Sequence, residues 1–594
     1  MGYHFRKIMY SILVIALFIM STCLRIDAEG EGLVIEGGTE GKDYTYADGV
    51  LTILKNGSYS ISMASGVDET SDRIVLYAGE LTELTLTLND LNLKTEERTN
   101  LKFDNYPGLE NIKMTLILNG DNTFSAAVRP IECERNIPET TVKGDGSLTL
   151  TVTGSNPDSN GWNNRNFTLE SGNVTFNNTS LTAHESITID DGTLTINDAP
   201  ANASSAIYTN GSYTQNDGTV TINSAKCHGI FVPGVNESSN PGVQILGGTL
   251  KIETPLYGII ASHPNDEERG QKDVIIKTDE NVSIKAYIGI LLANGSDLTM
   301  NQGTLQIEGG PIGIYAYSDA SNFNVNGGET EITTVDAVNS QGDTITARAI
   351  DLHLAEQKTI SFSQDYFHKD YDGTDLGSRE ETTDEALIKE NDKSDKYVLI
   401  TPAYRITYDL GEGSLPDDQS NPEKYSRVDE IILKNPIPNG DAQFLGWSGT
   451  DLDGITETVT IAEGSTGDRE YKANYQVNEY SITYELDGGN IDGNAGPLVY
   501  TYPSGTAITI LKAPEKKGYE FQYWKTSDSS YDPNDDYIVK GNVTFTAVWK
   551  EKAAPETPDN TDVEIPFVFP HTGVDGQGMD QVIIKTRHSR CLVY

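Results

Sequence analysis

The chain is 594 residues long and carries 88 Asp and Glu against 43 Lys and Arg, a formal charge of −45, with 56 Gly and only 4 Trp. A length of that order holds several domains, and the acid excess excludes nucleic acid, whose phosphates require Lys and Arg, and adhesion to anionic lipid. It permits a divalent cation, calcium first among them, although acidic solvation of a surface protein produces the same composition.

In chain order, Arg6 and Lys7 precede an unbroken apolar run from Ile12 to Met20, and Ile26-Asp27-Ala28 offers a small residue for cleavage. Residues 1–28 therefore read as a signal peptide. Lipidation at Cys23 is the alternative, but Thr22 is bulkier than the residue such a site takes before its Cys. Cleavage would leave Cys133, Cys227 and Cys591, an odd number and too few for a disulfide framework or a zinc site.

From Phe167 to Thr334 one phrase keeps returning: Gly192-Thr-Leu-Thr-Ile196, Gly218-Thr-Val-Thr-Ile222, Gly248-Thr-Leu-Lys-Ile252 and Gly303-Thr-Leu-Gln-Ile307, with weaker copies at Glu280–Ile284 and Gly328–Ile332. A period of 20 to 50 residues marks a solenoid. An alternating segment precedes each phrase (Ile187-Thr-Ile189, Leu298-Thr-Met300), and a small residue with Ile follows it (Ala206-Ile207, Gly229-Ile230, Gly258-Ile259, Gly289-Ile290, Gly313-Ile314). Alternation turns one face of a strand inward, and Gly supplies the corners, so the unit is three short strands and three corners. Residues 29–402 are expected to form a parallel β-helix of about a dozen rungs, right-handed as such crossovers are. Less regular rungs begin at Gly32, among them Gly49-Val-Leu-Thr-Ile53, Leu84–Leu88, Met114–Leu118 and Gly146-Ser-Leu-Thr-Leu150. At the far end a polar insertion leads into Tyr397-Val-Leu-Ile400, read as the closing strand. Within that insertion Asp370-Tyr-Asp372-Gly-Thr-Asp375, with Glu381 at the twelfth position, has the look of a calcium loop, but Asp375 stands where such a loop needs Gly.

Residues Tyr404 to Lys550 contain a second, longer repeat. Ile406-Thr-Tyr-Asp-Leu matches Ile482-Thr-Tyr-Glu-Leu, Phe444-Leu-Gly-Trp447 matches Phe521-Gln-Tyr-Trp524, and Ala473-Asn-Tyr475 matches Ala547-Val-Trp549. These segments, with Gly518-Tyr519 and Val543–Trp549, resemble the Listeria-Bacteroides repeat, or internalin B-repeat, of bacterial surface proteins. The resemblance implies a small β-grasp-like fold for two tandem domains, 403–477 and 478–550, and a place on the cell surface or envelope of a bacterium. The first copy departs from the pattern, with Gly440-Asp441-Ala442 in place of Gly-Tyr. The solenoid phrase, Gly-Thr-Leu-x-Ile followed by Gly-Ile, is similar to carbohydrate-binding β-helix domains of secreted clostridial-type proteins.

Residues 551–594 open as a Pro-rich linker and then carry Phe569-Pro570-His-Thr572-Gly573, which resembles the sortase signal. By that resemblance Thr572 would be joined to the cell wall as Gly573 leaves. The tail after Val574 is polar, whereas that family carries a span of about 20 apolar residues.

Chemistry is sparse. Asp190-Asp191 and Asp217 share a corner of successive rungs, but the acidic ladder stops there, which fits turn residues better than a paired-carboxylate or calcium-dependent lyase site. His184, His228 and His263 have no metal-ligand spacing. The Gly-Ile pairs are more informative. If their Ile points inward, then Tyr208, Phe231, Ile260, Leu291 and Tyr315, with Tyr317 beyond, point outward as an apolar stripe suited to stacking on sugar rings. A covering loop, or a register shifted by one, would bury it instead. The expectation is thus an all-β, secreted or surface-displayed binding protein without a catalytic set, its partner a polysaccharide or a host or neighbour cell surface. The alternatives are a polysaccharide lyase or hydrolase on the helix and a passive spacer.

Overall fold

The computed structural model describes residues 32–554 except 78–80, 97–98, 104–111, 134–137, 156–160, 235–240, 264–269, 318–320, 340, 353–359, 363–365, 372–379, 382–395 and 440–441. The signal peptide, Cys591 and the sortase-like Phe569 to Gly573 lie outside the described residues, as does most of the calcium-like loop. Among the described residues every regular element is a strand. The chain falls into two compact units, residues 1–437 with 444–474 and residues 438–443 with 475–594.

The first unit is built on a parallel β-helix-like solenoid of three stacked ladders. Sheet 1 carries the Gly-Thr-Leu-x-Ile phrase, sheet 2 the Gly-Ile pairs, and sheet 3 the alternating segment before the phrase. In sheet 3 a single inward column rises one residue per rung through Tyr59, Leu86, Leu116, Val142, Leu169, Ile189, Gln215, Ile245, Ile276, Met300, Val325 and Phe362. Sheet 1 stacks Leu93, Phe124, Leu150, Phe176, Ile196, Ile222, Ile252, Ile284, Ile307 and Ile332 in the same way. These columns merge into one continuous core, in which each enclosed Leu or Ile contributes roughly 2 kcal/mol of apolar burial. The exception is Gln215, fully buried, whose oxygen accepts from Tyr213 at 3.0 Å and whose amide donates to the Gly218 and Thr249 carbonyls at 3.3 and 3.1 Å.

The phrase begins with Gly for two reasons. Gly218 has φ +78°, and a Cβ there would lie 2.5 Å from the carbonyl oxygen of Gly192 on the rung below. A side chain would be strained and would also collide with backbone. The copy beginning at Glu280 has no Gly, and there the Thr278 hydroxyl meets the Gly248 carbonyl at 2.7 Å while the chain runs as one strand, Val274–Leu292, through all three sheets. The Gly of each Gly-Ile pair answers a different need. A Cβ on Gly258 or Gly289 would stand 2.3 or 2.4 Å from the Cγ2 of Ile284 or Ile307, so the small residue makes room for the next rung's core Ile.

At each end of the stack an antiparallel strand covers one sheet edge. Leu33–Glu36 pairs antiparallel with Gly57–Met63, and Tyr397–Pro402 pairs antiparallel with Glu329–Thr333. Each closes a strand edge that would otherwise recruit another chain. In the irregular half the similar-looking phrases prove to occupy different ladders: Gly146–Leu150 joins sheet 1, Leu84–Leu88 and Met114–Leu118 join sheet 3, and Val50–Ile53 stands below Arg73–Leu76 in sheet 2.

The first small module follows the cap strand after one residue, Ala403. Its sheet runs Lys424–Tyr425, Tyr404–Asp409, Arg469–Gln476, Gln443–Gly449, with the middle pair parallel. The second runs Leu498–Pro503, Glu479–Glu485, Val543–Glu551, Tyr519–Lys525, Ser530–Tyr531, again with a parallel middle pair. Each module is thus a small mixed sheet, and no helix occurs among the described residues. In the second module Trp524 is fully buried, with Tyr484 at 5.0 Å and Phe521 at 5.3 Å, and its indole N–H donates to the Leu511 carbonyl at 2.9 Å. In the first, Trp447 is equally buried and donates to Asn435 at 3.0 Å.

Candidate functional site

Sheet 2 settles the orientation of its pairs. Ile207, Ile230, Ile259, Ile290 and Ile314 are fully enclosed and stand in register, so the residue after each projects away from the core. Tyr208, Phe231, Ile260, Leu291 and Tyr315 accordingly form one outward column, and the register is not shifted. The column is not uniformly open, however. Ile260 and Leu291 are only 3% and 2% exposed, and with Ile288 and Ala293 they form a second apolar cluster outside the solenoid core. Phe231, Tyr257, Tyr287, Ile312 and Tyr315 pack against that cluster and stay half-buried, as Tyr208 does, while Tyr317 is 45% exposed.

The aromatic rim is ordered by ring contacts. Tyr208 meets Phe231 edge-on at 5.6 Å, and Tyr315 meets Tyr317 edge-on at 6.0 Å. Phe231 lies 5.9 Å from His263, and His228 lies 4.8 Å from Tyr257. The Tyr208 hydroxyl donates to Asn210 at 3.0 Å. His228 Nδ1 accepts the Tyr257 backbone N–H at 3.2 Å, which leaves the ring proton on Nε2. Burial holds the His228 pKa below its usual value. Burial raises the phenols of Tyr257, aided by Tyr287, and of Tyr315, aided by Asp351, so these hydroxyls stay protonated donors at neutral pH. One rung on, Arg348 and Asp351 pair at 3.0 Å, Asp351 standing over Tyr315.

Tyr257 and Tyr287 lie before a Gly-Ile pair, outside the expected column of residues that follow each pair. An aromatic just before the pair, as in Tyr257-Gly-Ile and Tyr287-Ile-Gly-Ile, was the signal available.

The acidic corner is engaged with its own turns. Asp191 and Asp217 accept the backbone N–H of the following Gly at 2.6 and 2.7 Å, and Asp190 accepts Asn216 at 2.7 Å. Among the described residues no group of three His, Cys, Asp or Glu side chains is arranged to hold a metal ion. Cys133 and Cys227 are buried free thiols, both pushed up in pKa by burial.

Residues 480–548 match the Listeria-Bacteroides repeat domain. Two proteins of Evansella cellulosilytica are similar to parts of the chain. One, named as a Gly-rich membrane protein, is 28% identical over 178 residues, 27% of this chain and 20% of its own length. The other, named as a membrane protein, is 29% identical over 127 residues, 20% of this chain and 17% of its own. The chain thus spans a fifth or less of these relatives. No described helix is long and apolar enough to cross a membrane.

Proposed function

We propose that this is a bacterial envelope protein, secreted or displayed on the cell surface, that binds a polysaccharide or a glycan-coated host or neighbouring cell on the outer face of sheet 2. The observation that carries this reading is the second apolar cluster: a solenoid needs no apolar packing outside its core, yet here tyrosines and a phenylalanine are gathered over one face of sheet 2. Tyr joins a flat apolar body to a polar tip, the combination that stacks on a sugar ring and hydrogen-bonds its hydroxyls. The reading includes a role for 403–477 as a second, diverged copy of the matched repeat. Its support is the shared strand order and parallel middle pair, with Trp447 and Trp524 in corresponding places.

The test is retention of the mature chain on plant, bacterial and host polysaccharides, with and without calcium, while new polymer ends are counted. Tyr257→Ala and Tyr315→Ala are each expected to weaken retention roughly tenfold, the loss of about 1.4 kcal/mol of stacking. New ends would replace the binder with an enzyme, and neither retention nor new ends would leave a spacer.

A further inference from the structure

We infer that the first module, in the part that belongs to the first compact unit (residues 404–437 and 444–474), is the lid of the solenoid, clamped onto its last sheet 1 rung by Arg427 on Glu329. Both residues belong to the first compact unit. Glu329 occupies the second position of the repeating phrase, where the regular rungs have Thr193, Thr219 and Thr249 and where Thr304 stands directly below it. A carboxylate there breaks the pattern, and at 4% exposure it is buried. Buried Glu is rare unless paired. Its partner is Arg427, whose Nε and Nη2 donate to the two carboxylate oxygens in a two-pronged bond.

The module is shaped to deliver that side chain. Asp429 accepts the Ser426 N–H and hydroxyl at 2.7 and 3.0 Å, closing the turn on which Arg427 sits, and the Arg427 carbonyl accepts the Gly464 N–H at 2.6 Å. Tyr425 beside it packs with its ring tilted at 5.4 Å against Tyr404, the first residue after the cap strand and Ala403, and accepts from the buried Arg469 at 2.8 Å. The clamp is therefore tied to the module's own core. A solenoid needs a terminal cover for its apolar cross-section, and here the lid is held by a buried carboxylate at a position where the rungs from Thr193 to Thr304 carry no charge.

The physics makes the two partners unequal. Removing Arg427 leaves a buried carboxylate without its counter-charge, whereas replacing Glu329 by the Thr of the other rungs leaves none. In the full mature chain, calorimetry is expected to show solenoid and first module unfolding together. Arg427→Gln should split off an earlier transition and speed proteolysis at residues 402–405 at least tenfold, and Glu329→Thr should do both more weakly. Wild-type unfolding and cleavage in Arg427→Gln would overturn the clamp, as would a larger effect from Glu329→Thr than from Arg427→Gln.

Discussion

The solenoid and the second small module solve the same problem of enclosing apolar side chains in opposite ways. In the solenoid a position recurs on every rung, and its residue rests on copies above and below. In residues 479–551 each core residue occurs once, around Trp524. Repetition spreads stability over many similar contacts but makes each rung depend on backbone fit with its neighbours. A unique core concentrates stability in a few large rings while leaving the corners freer. Gly518 in the module has φ +87° and open space around its Cβ position, whereas Gly218 in the solenoid has a carbonyl in that place.

Substitutions can sharpen that contrast. Trp524→Ala should have the largest effect, about 3–5 kcal/mol, the range for deleting a buried ring. Amide exchange should register it as lost protection in 479–551, with the sheet 1 column from Phe124 to Ile332 unchanged; loss along that column would break the comparison. Gly218→Ala should cost about 3 kcal/mol, the upper range for a residue forced into left-handed backbone, and hydrogen exchange should locate the loss on rungs around Gly192 and Gly248. Asn197→Ala should cost about 1 kcal/mol, a typical net hydrogen bond. Asn197 donates to Asn177 at 3.0 Å and accepts from Asn223 at 3.3 Å, a ladder that only a repeating surface builds. Urea midpoints for the single and adjacent double variants would show whether the ladder acts as a unit.

The smallest effect is expected at His228. Its folded pKa lies below its unfolded value of about 6.5, so the unfolded chain takes up the proton first. The stability of the neutral ring is full above that value and falls as pH drops through the folded pKa. Burial of the ring, which penalises its charged form, supplies the reason. His228→Gln should flatten this part of the stability profile between pH 7 and 5, measured by thermal unfolding; an unchanged slope would remove His228 from the rim's pH dependence.

Much of this was legible because a solenoid repeats its local chemistry. The spacing of Gly-Thr-Leu-x-Ile located sheet 1, Gly-Ile located sheet 2, and Tyr397–Ile400 was readable as the closing strand. The irregular half was less legible: Gly49-Val-Leu-Thr-Ile53 has the phrase of sheet 1 and the place of sheet 2, since four alternating residues fit any inward face. The candidate site was half legible. The direction of Tyr208, Phe231 and Tyr315 followed from alternation along one strand, but the burial of Ile260 and Leu291 did not, because their cluster joins side chains from more than one rung.

By itself, then, the amino-acid sequence determined the period, the inward columns and the corners, all of which depend on neighbours along the chain and on copies of themselves. Tertiary structure alone decided which outward residues gather into a second cluster, why the small residue before each sheet 2 Ile must be small, and that Glu329 meets Arg427. Those are contacts between unlike positions, from different rungs or from 98 residues away, and no local periodicity carries a record of them.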